Sequence, residues 1–231
     1  MNKKIRLSII FSILFISSYA QDLIKSGPMV GYSTMQEVLL WVQTDEKAKV
    51  HFEYYEIDNP KIRFKTEEIE TIKKNGYVAK LIADQVAPGK KYKYEIFIND
   101  LKVERDYVME FQSQKLWKWR TDPPDVSFVI GSCSYVNEPK FDRPGKPYGN
   151  NFEIFSSINN KNPDFMLWLG DNTYLREPDW NSRTGFINRY SHTRALAELQ
   201  PLLASTHHYA TWDDHDFGPN NSDGSFWLKE T

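Results

Sequence analysis

Three apolar runs in the second half of this chain each break off at residues able to bind a metal, and two helix-length segments separate them. The run 126–130 ends in Gly131-Ser132-Cys133. The run 165–169 ends in Gly170-Asp171-Asn172-Thr173-Tyr174. The run 208–212 ends in Asp213-Asp214-His215-Asp216, with Asn220 just beyond Gly218-Pro219. Residues 152–160 read as a helix closed by Asn162-Pro163. From 181 to 200, Ile187, Tyr190 and Ala197, then Leu196, Leu199 and Leu203, recur at helical spacing, and Pro201 restarts the helix. Strand, helix, strand, helix, strand predicts parallel pairing of buried strands. In such sheets ligands gather beyond the carboxyl ends of the strands, where all three runs place their polar residues.

Each strand end has a bland reading beside the chemical one. Cys133 is either an inert buried residue or a thiol kept for its reactivity. Tyr174, three residues after Asp171, either packs a loop or turns back to offer a phenolate, a hard donor suited to ferric iron. Asp213, Asp214 and Asp216 form an acidic surface turn unless a cation relieves their repulsion. Taken together, the ends offer a thiolate, a phenolate, carboxylates and an amide oxygen. That mixture suits two metals of different hardness, a trivalent iron and a calcium-like ion.

The first half has a different grammar. Runs of four to eight β-prone residues recur from about 23 to 111, and residues 91–98 alternate polar and apolar between Pro88-Gly89 and Asn99-Asp100. Such short strands without a convincing helix predict a β-sandwich. Its stretch from Leu81 through Pro88-Gly89 to Tyr92 and Tyr94 resembles the tyrosine corner of a fibronectin type III domain. Beyond Gln114, Trp117, Trp119 and Pro123-Pro124 mark a junction.

Residues 1–20 read as a cleaved signal peptide. Lys3, Lys4 and Arg6 precede an apolar stretch over 7–16, and Ser18-Tyr19-Ala20 forms the cleavage site. The stretch is shorter than the roughly 20 residues a membrane span needs. The expected product is an exported, periplasmic or secreted chain without a transmembrane segment. Cleavage removes three positive charges and no negative ones, taking the formal net charge from −2 to −5. That balance argues against nucleic acid as a partner. One cysteine in an exported chain excludes an internal disulfide.

The three motifs together resemble the PhoD-like alkaline phosphatases and phosphodiesterases, hydrolases of the metallophosphatase superfamily. The resemblance spans most of the mature chain and implies a fibronectin type III-like β-sandwich over 22–114. The first part of an α/β metallophosphatase domain, a β-sandwich core flanked by helices, would follow over 121–231. It implies that Cys133 and Tyr174 bind Fe3+, that Asp171 bridges it to Ca2+, and that Asp213 and Asn220 bind on the calcium side. Asp171, Asp213 and Asn220 would be the catalytic set, with Asp214, His215 and Arg143 as supporting or substrate residues. The implied reaction is hydrolysis of a small phosphate ester by metal-activated oxygen. Related purple acid phosphatases share Gly-Asp-x-x-Tyr but carry an aspartate in the first motif, so Cys133 favours the PhoD-like branch. Family members supply further ligands beyond the third motif, so this stretch alone is expected to be inactive. The alternative is a non-catalytic binding module on a truncated scaffold. Arg176 and Arg183 join Arg143 as arginines either facing substrate or simply solvated.

Overall fold

The computed structural model describes residues 23–148 and 151–226. The expected signal peptide lies outside the described residues. The described residues form two six-stranded sheets. The first runs in the order β10 (Phe128–Gly131), β11 (Phe165–Leu169), β12 (His207–Thr211), β1 (Ile24–Ser33), β2 (Val38–Thr44), β6 (Val78–Ala83). The second is built on β3 (Lys49–Glu56) and β7 (Lys91–Ile98), bordered by β4 (Phe64–Lys65), β5 (Ile69–Glu70), β8 (Leu101–Val103) and β9 (Glu110–Gln112).

The alternation in β7 resolves as a strand with two unlike faces. Tyr92, Tyr94, Ile96 and Ile98 are buried, while Lys91 and Lys93 reach water. Asn99 and Asp100, both at positive φ, then turn the chain into β8 in a two-residue hairpin, the turn whose twist matches paired strands. The inward faces of both sheets close over Val38, Leu40, Phe52, Tyr54, Leu81 and Phe111. The Tyr92 hydroxyl accepts a hydrogen bond from the Ala87 amide at 2.7 Å, five residues upstream. This is the back-bond expected of a tyrosine corner.

The second half adds three parallel strands, β10 to β12, in register from Phe128↔Phe165 and Phe165↔His207 onward. Helices α1 (Glu153–Asn159), α2 (Arg183–Arg194) and α3 (Gln200–Ser205) connect them. The periodicity over 181–200 is interrupted. Helix α2 ends at Arg194, a 3-10 turn follows at Ala197–Leu199, and α3 starts with Pro201 in its first turn. Phe155, Leu199, Leu202 and Leu203 pack with Trp168 on one face of the strands.

The other face corrects the expectation of fully buried strands. Phe128, Ile130 and Leu169 are 50%, 55% and 46% exposed. Among the described residues no second layer covers that face, so residues 126–130 have the composition of a buried strand without its burial.

The two halves share one sheet. Strand β12 pairs with β1 in parallel through Val30↔His207. The His207 ring nitrogens lie 2.8 Å from the Gly31 carbonyl and 2.8 Å from that of Gln112. Tyr94 donates to the Ala204 carbonyl at 2.8 Å, and the Gly27 amide donates to Gln200 at 2.8 Å. No helix among the described residues is long and apolar enough to cross a membrane.

Candidate metal centre

The carboxyl ends of β10, β11 and β12 converge because the backbone there leaves ordinary geometry. Cys133 and Asp171 both adopt positive φ, 58° and 49°, a conformation that costs a non-glycine residue roughly 1–3 kcal/mol and clusters at functional sites. Gly170, at φ +89°, sits so close to the third strand's exit that a Cβ there would lie 2.6 Å from Asp213 Cβ. Glycine at this position therefore lets the β11 and β12 exits touch. The Ser134 amide donates to the Asp171 carbonyl at 2.9 Å, tying the first exit to the second.

Asp171 is the centre of this corner, 9% exposed. Its Oδ2 accepts from the Tyr174 hydroxyl at 2.9 Å and lies 3.6 Å from Cys133 Sγ. Its Oδ1 is buried with no hydrogen-bond partner. A buried carboxylate oxygen without a donor is costly, about 1–3 kcal/mol or more for a charged group, and a cation removes that cost. Burial, hydrogen bonds to Cys133 and Asp171, and the Asp171 charge push the Tyr174 phenol above the ordinary tyrosine range. Donor atoms of Asp171, Asp214 and His215 all lie within 4.8 Å of one another, and the His215 ring packs 4.4 Å from that of Tyr174.

The four titratable residues after β12 divide into distinct roles. Asp213 is exposed and accepts from the Asp214 amide at 2.9 Å, capping the 3-10 turn Asp214–Asp216. Asp216 is buried and accepts from the amides of Asn172 (2.9 Å), Thr173 (3.2 Å) and Asp213 (3.0 Å). Burial raises its carboxyl above the usual range, while those amide hydrogen bonds pull the other way. With its oxygens taken, Asp216 welds the loops after β11 and β12 rather than offering a free ligand. In the sequence Asp216 reads only as one of three carboxylates whose repulsion a cation would relieve, not as a tie between loops. Its signal was its place in a 3-10 capping box with Asp213.

The structure thus brings together Cys133, Asp171, Tyr174, Asp214 and His215. Asp213 stands beside them through Gly170, with its side chain engaged in the cap, and Asn220 is exposed in the following turn. Arg143 and Arg176 lie on tyrosine rings that continue from Tyr174. Arg183 instead donates to the Lys74 carbonyl at 3.1 Å, on the sandwich. The residues around Asp171 fit a cation: a mixed donor set surrounds one partnerless buried oxygen. A second triad of His51, Glu68 and Asp100 lies on the sandwich. There Lys49 already stands 3.4 Å from Glu68.

Comparison with known proteins bears on the fold. Residues 21–116 match the family described as a domain of unknown function (DUF7800). No curated protein matches the chain. Among solved structures, that of PhoD superposes with a TM-score of 0.67 at 17% identity, covering 87% of this chain and 40% of that one. The fold is PhoD-like, and the chain spans less than half the length of that structure. The sensor domain of the anti-sigma factor RsgI4 of Pseudobacteroides cellulosolvens gives a TM-score of 0.34 at 13% identity, covering 41% of this chain and 76% of that one. A fibronectin type III domain of human fibronectin type III domain containing protein 3 gives 0.27 at 16%, covering 39% and 89%.

Proposed function

We propose that this chain is the opening part of an exported, metal-dependent phosphoesterase of the alkaline phosphatase or phosphodiesterase type, acting on a small phosphate ester. Residues 22–114 are assigned to its β-sandwich domain and 121–231 to the start of its metallophosphatase domain. The observation that carries the reading is the convergence of three parallel strand exits on Asp171, whose buried Oδ1 lacks any hydrogen-bond donor.

In this reading Cys133 and Tyr174 would hold a ferric ion, and Asp171 would be a ligand to it and to a calcium ion. Asp213 and Asn220 serve the calcium side, and the closeness of Asp214 and His215 to Asp171 adds them to the donor set. When bound, such cations supply Lewis acidity and a water activated for in-line attack. The chain's own residues do the positioning. Tyr174 fixes one oxygen of Asp171, and Asp216 locks the two loops that carry the donors. His215 packs its ring against Tyr174, with ring centres 4.4 Å apart, and so holds that side chain in place. The alternative of a non-catalytic binding module leaves the partnerless oxygen and the two positive-φ ligand residues without a purpose.

Metal analysis of the full-length protein tests this. Cys133→Ala is expected to lose iron and hydrolysis of a chromogenic phosphate ester while matching the thermal midpoint of metal-stripped wild type, because Cys133 is exposed. Iron bound at the wild-type level in that variant would sink the assignment.

A further inference from the structure

Two arginines near the candidate centre have no carboxylate partner among the described residues. Both are held instead by one pair of tyrosines. The Arg143 guanidinium lies 3.7 Å above the Tyr148 ring, and Tyr148 packs against Tyr135 at 4.9 Å. The Arg176 guanidinium lies 4.3 Å above the Tyr135 ring, and its Nη2 donates to the neutral Asn137 amide oxygen at 2.7 Å. Tyr135 then meets Tyr174 at 4.8 Å.

The nearest acid to Arg143 is its neighbour Asp142. That carboxylate is engaged by the backbone, accepting from the Arg143 amide at 2.6 Å and from the Tyr148 amide at 3.2 Å. These bonds close the loop and set Arg143 and Tyr148 side by side. Lys140 and Lys146 lie in the same loop, so residues 140–148 carry three cations and one anion in a chain that is negative overall.

A guanidinium whose centre sits over an aromatic ring can still offer N–H donors at its edge, and in Arg176 one of these is already given to Asn137. That edge matches the oxygens of a phosphate or carboxylate, and the stacking fixes its orientation beforehand. One ring separates Arg176 from Tyr174 and two separate Arg143. With these rings between them and Asp171, the arginines suit a second anionic group on the same molecule. We propose that Arg143 and Arg176, mounted on Tyr148 and Tyr135, form an anion subsite that selects phosphate esters bearing a second negatively charged group. The ester part rests on the function proposed above, whereas the subsite itself does not.

The test uses inorganic pyrophosphate as probe and inorganic phosphate as control, with the full chain in chelator so that no metal contributes. Binding is followed by the Nε–H NMR signals of the arginines. Pyrophosphate should shift Arg143 and Arg176 but not Arg183, and it should bind more tightly than phosphate. Arg143→Gln and Arg176→Gln should each weaken pyrophosphate about tenfold, the scale of a lost charge-assisted bond. Arg143→Lys and Arg176→Lys keep charge and stem but not the fork, and should recover only part of the loss. These lysine variants decide the matter if a glutamine variant melts early. Unmoved arginine signals, an equal shift of Arg183, or wild-type affinity in the double glutamine variant would each overturn the subsite. Wild-type protein that takes up no iron in the metal analysis, yet binds pyrophosphate through these arginines in chelator, would overturn the ester reading alone. Iron-bearing protein with silent arginines would overturn the subsite alone.

Discussion

Strands β7 and β10 are both rich in large apolar residues, yet they meet water in opposite ways. In β7 every large apolar residue from Tyr92 to Ile98 except Phe97 is buried under the facing sheet. In β10, Phe128 and Ile130 are half exposed, although Phe128 stacks on Phe165 with ring centres 5.0 Å apart. The sandwich has two inward faces to close on each other, whereas among the described residues β10 to β12 have helices on one side only. Composition makes a strand, and a second layer makes it buried. Parallel sheets normally have both faces covered, so the described residues of the second half bury less apolar surface than their composition implies.

Substitutions can break that comparison. Phe52 lies at 0% exposure in the sandwich core, and Phe52→Ala should cost about 3–5 kcal/mol in a denaturant titration. A cost under about 1 kcal/mol would mean the sandwich is no better sealed than β10. Gly170→Ala should cost about 3 kcal/mol, combining left-handed strain with the clash against Asp213. Its effect should centre on the strand exits, seen as lost amide-exchange protection at Asn172 and Thr173 but not at Phe52.

Acid sharpens the contrast at intermediate size. His208 accepts from Trp168 Nε1 at 3.0 Å, which fixes its neutral form, and burial pushes its imidazole down to about 4. The unfolded chain, with an ordinary histidine near 6.5, binds the proton first. Stability from this group is therefore complete above about pH 6.5 and is lost as the pH falls toward 4. The slope should approach about 1.4 kcal/mol per pH unit between those limits. His208→Gln should flatten the pH dependence of the midpoint, and an unchanged slope would move its origin elsewhere. The smallest effect is expected at the open face. Phe128→Ser should change stability by about 0.5 kcal/mol or less while reducing binding of a hydrophobic dye.

The sequence revealed strand ends better than it revealed what surrounds them. Cys133, Asp171 and Tyr174 were readable because an abrupt passage from apolar to polar residues marks a strand's exit whatever lies above or below it. The sandwich was readable for the same local reason, since alternation in 91–98 is a property of one strand. Exposure of Phe128 depends on a distant layer, which no local pattern encodes. The division of labour within Asp213, Asp214, His215 and Asp216 was equally hidden. It turns on which carboxylate meets the amides of Asn172 and Thr173, a contact spanning more than forty residues. The tyrosine mounts of Arg143 and Arg176 are likewise tertiary, and the stretch around them carries no period.

Placing β12 beside β1 has a consequence for synthesis. Val30 leaves the ribosome long before His207, so the sandwich can close while one flank of β1 still lacks its parallel neighbour. A contact joining residues so far apart in the chain is slow to find by random search. A flank already ordered by β2 removes much of that search, because only the arriving strand must be fixed. The N-terminal half thus serves as a template on which the C-terminal half is laid down, and a damaged β1 should be felt first as a failure of the later strands to dock.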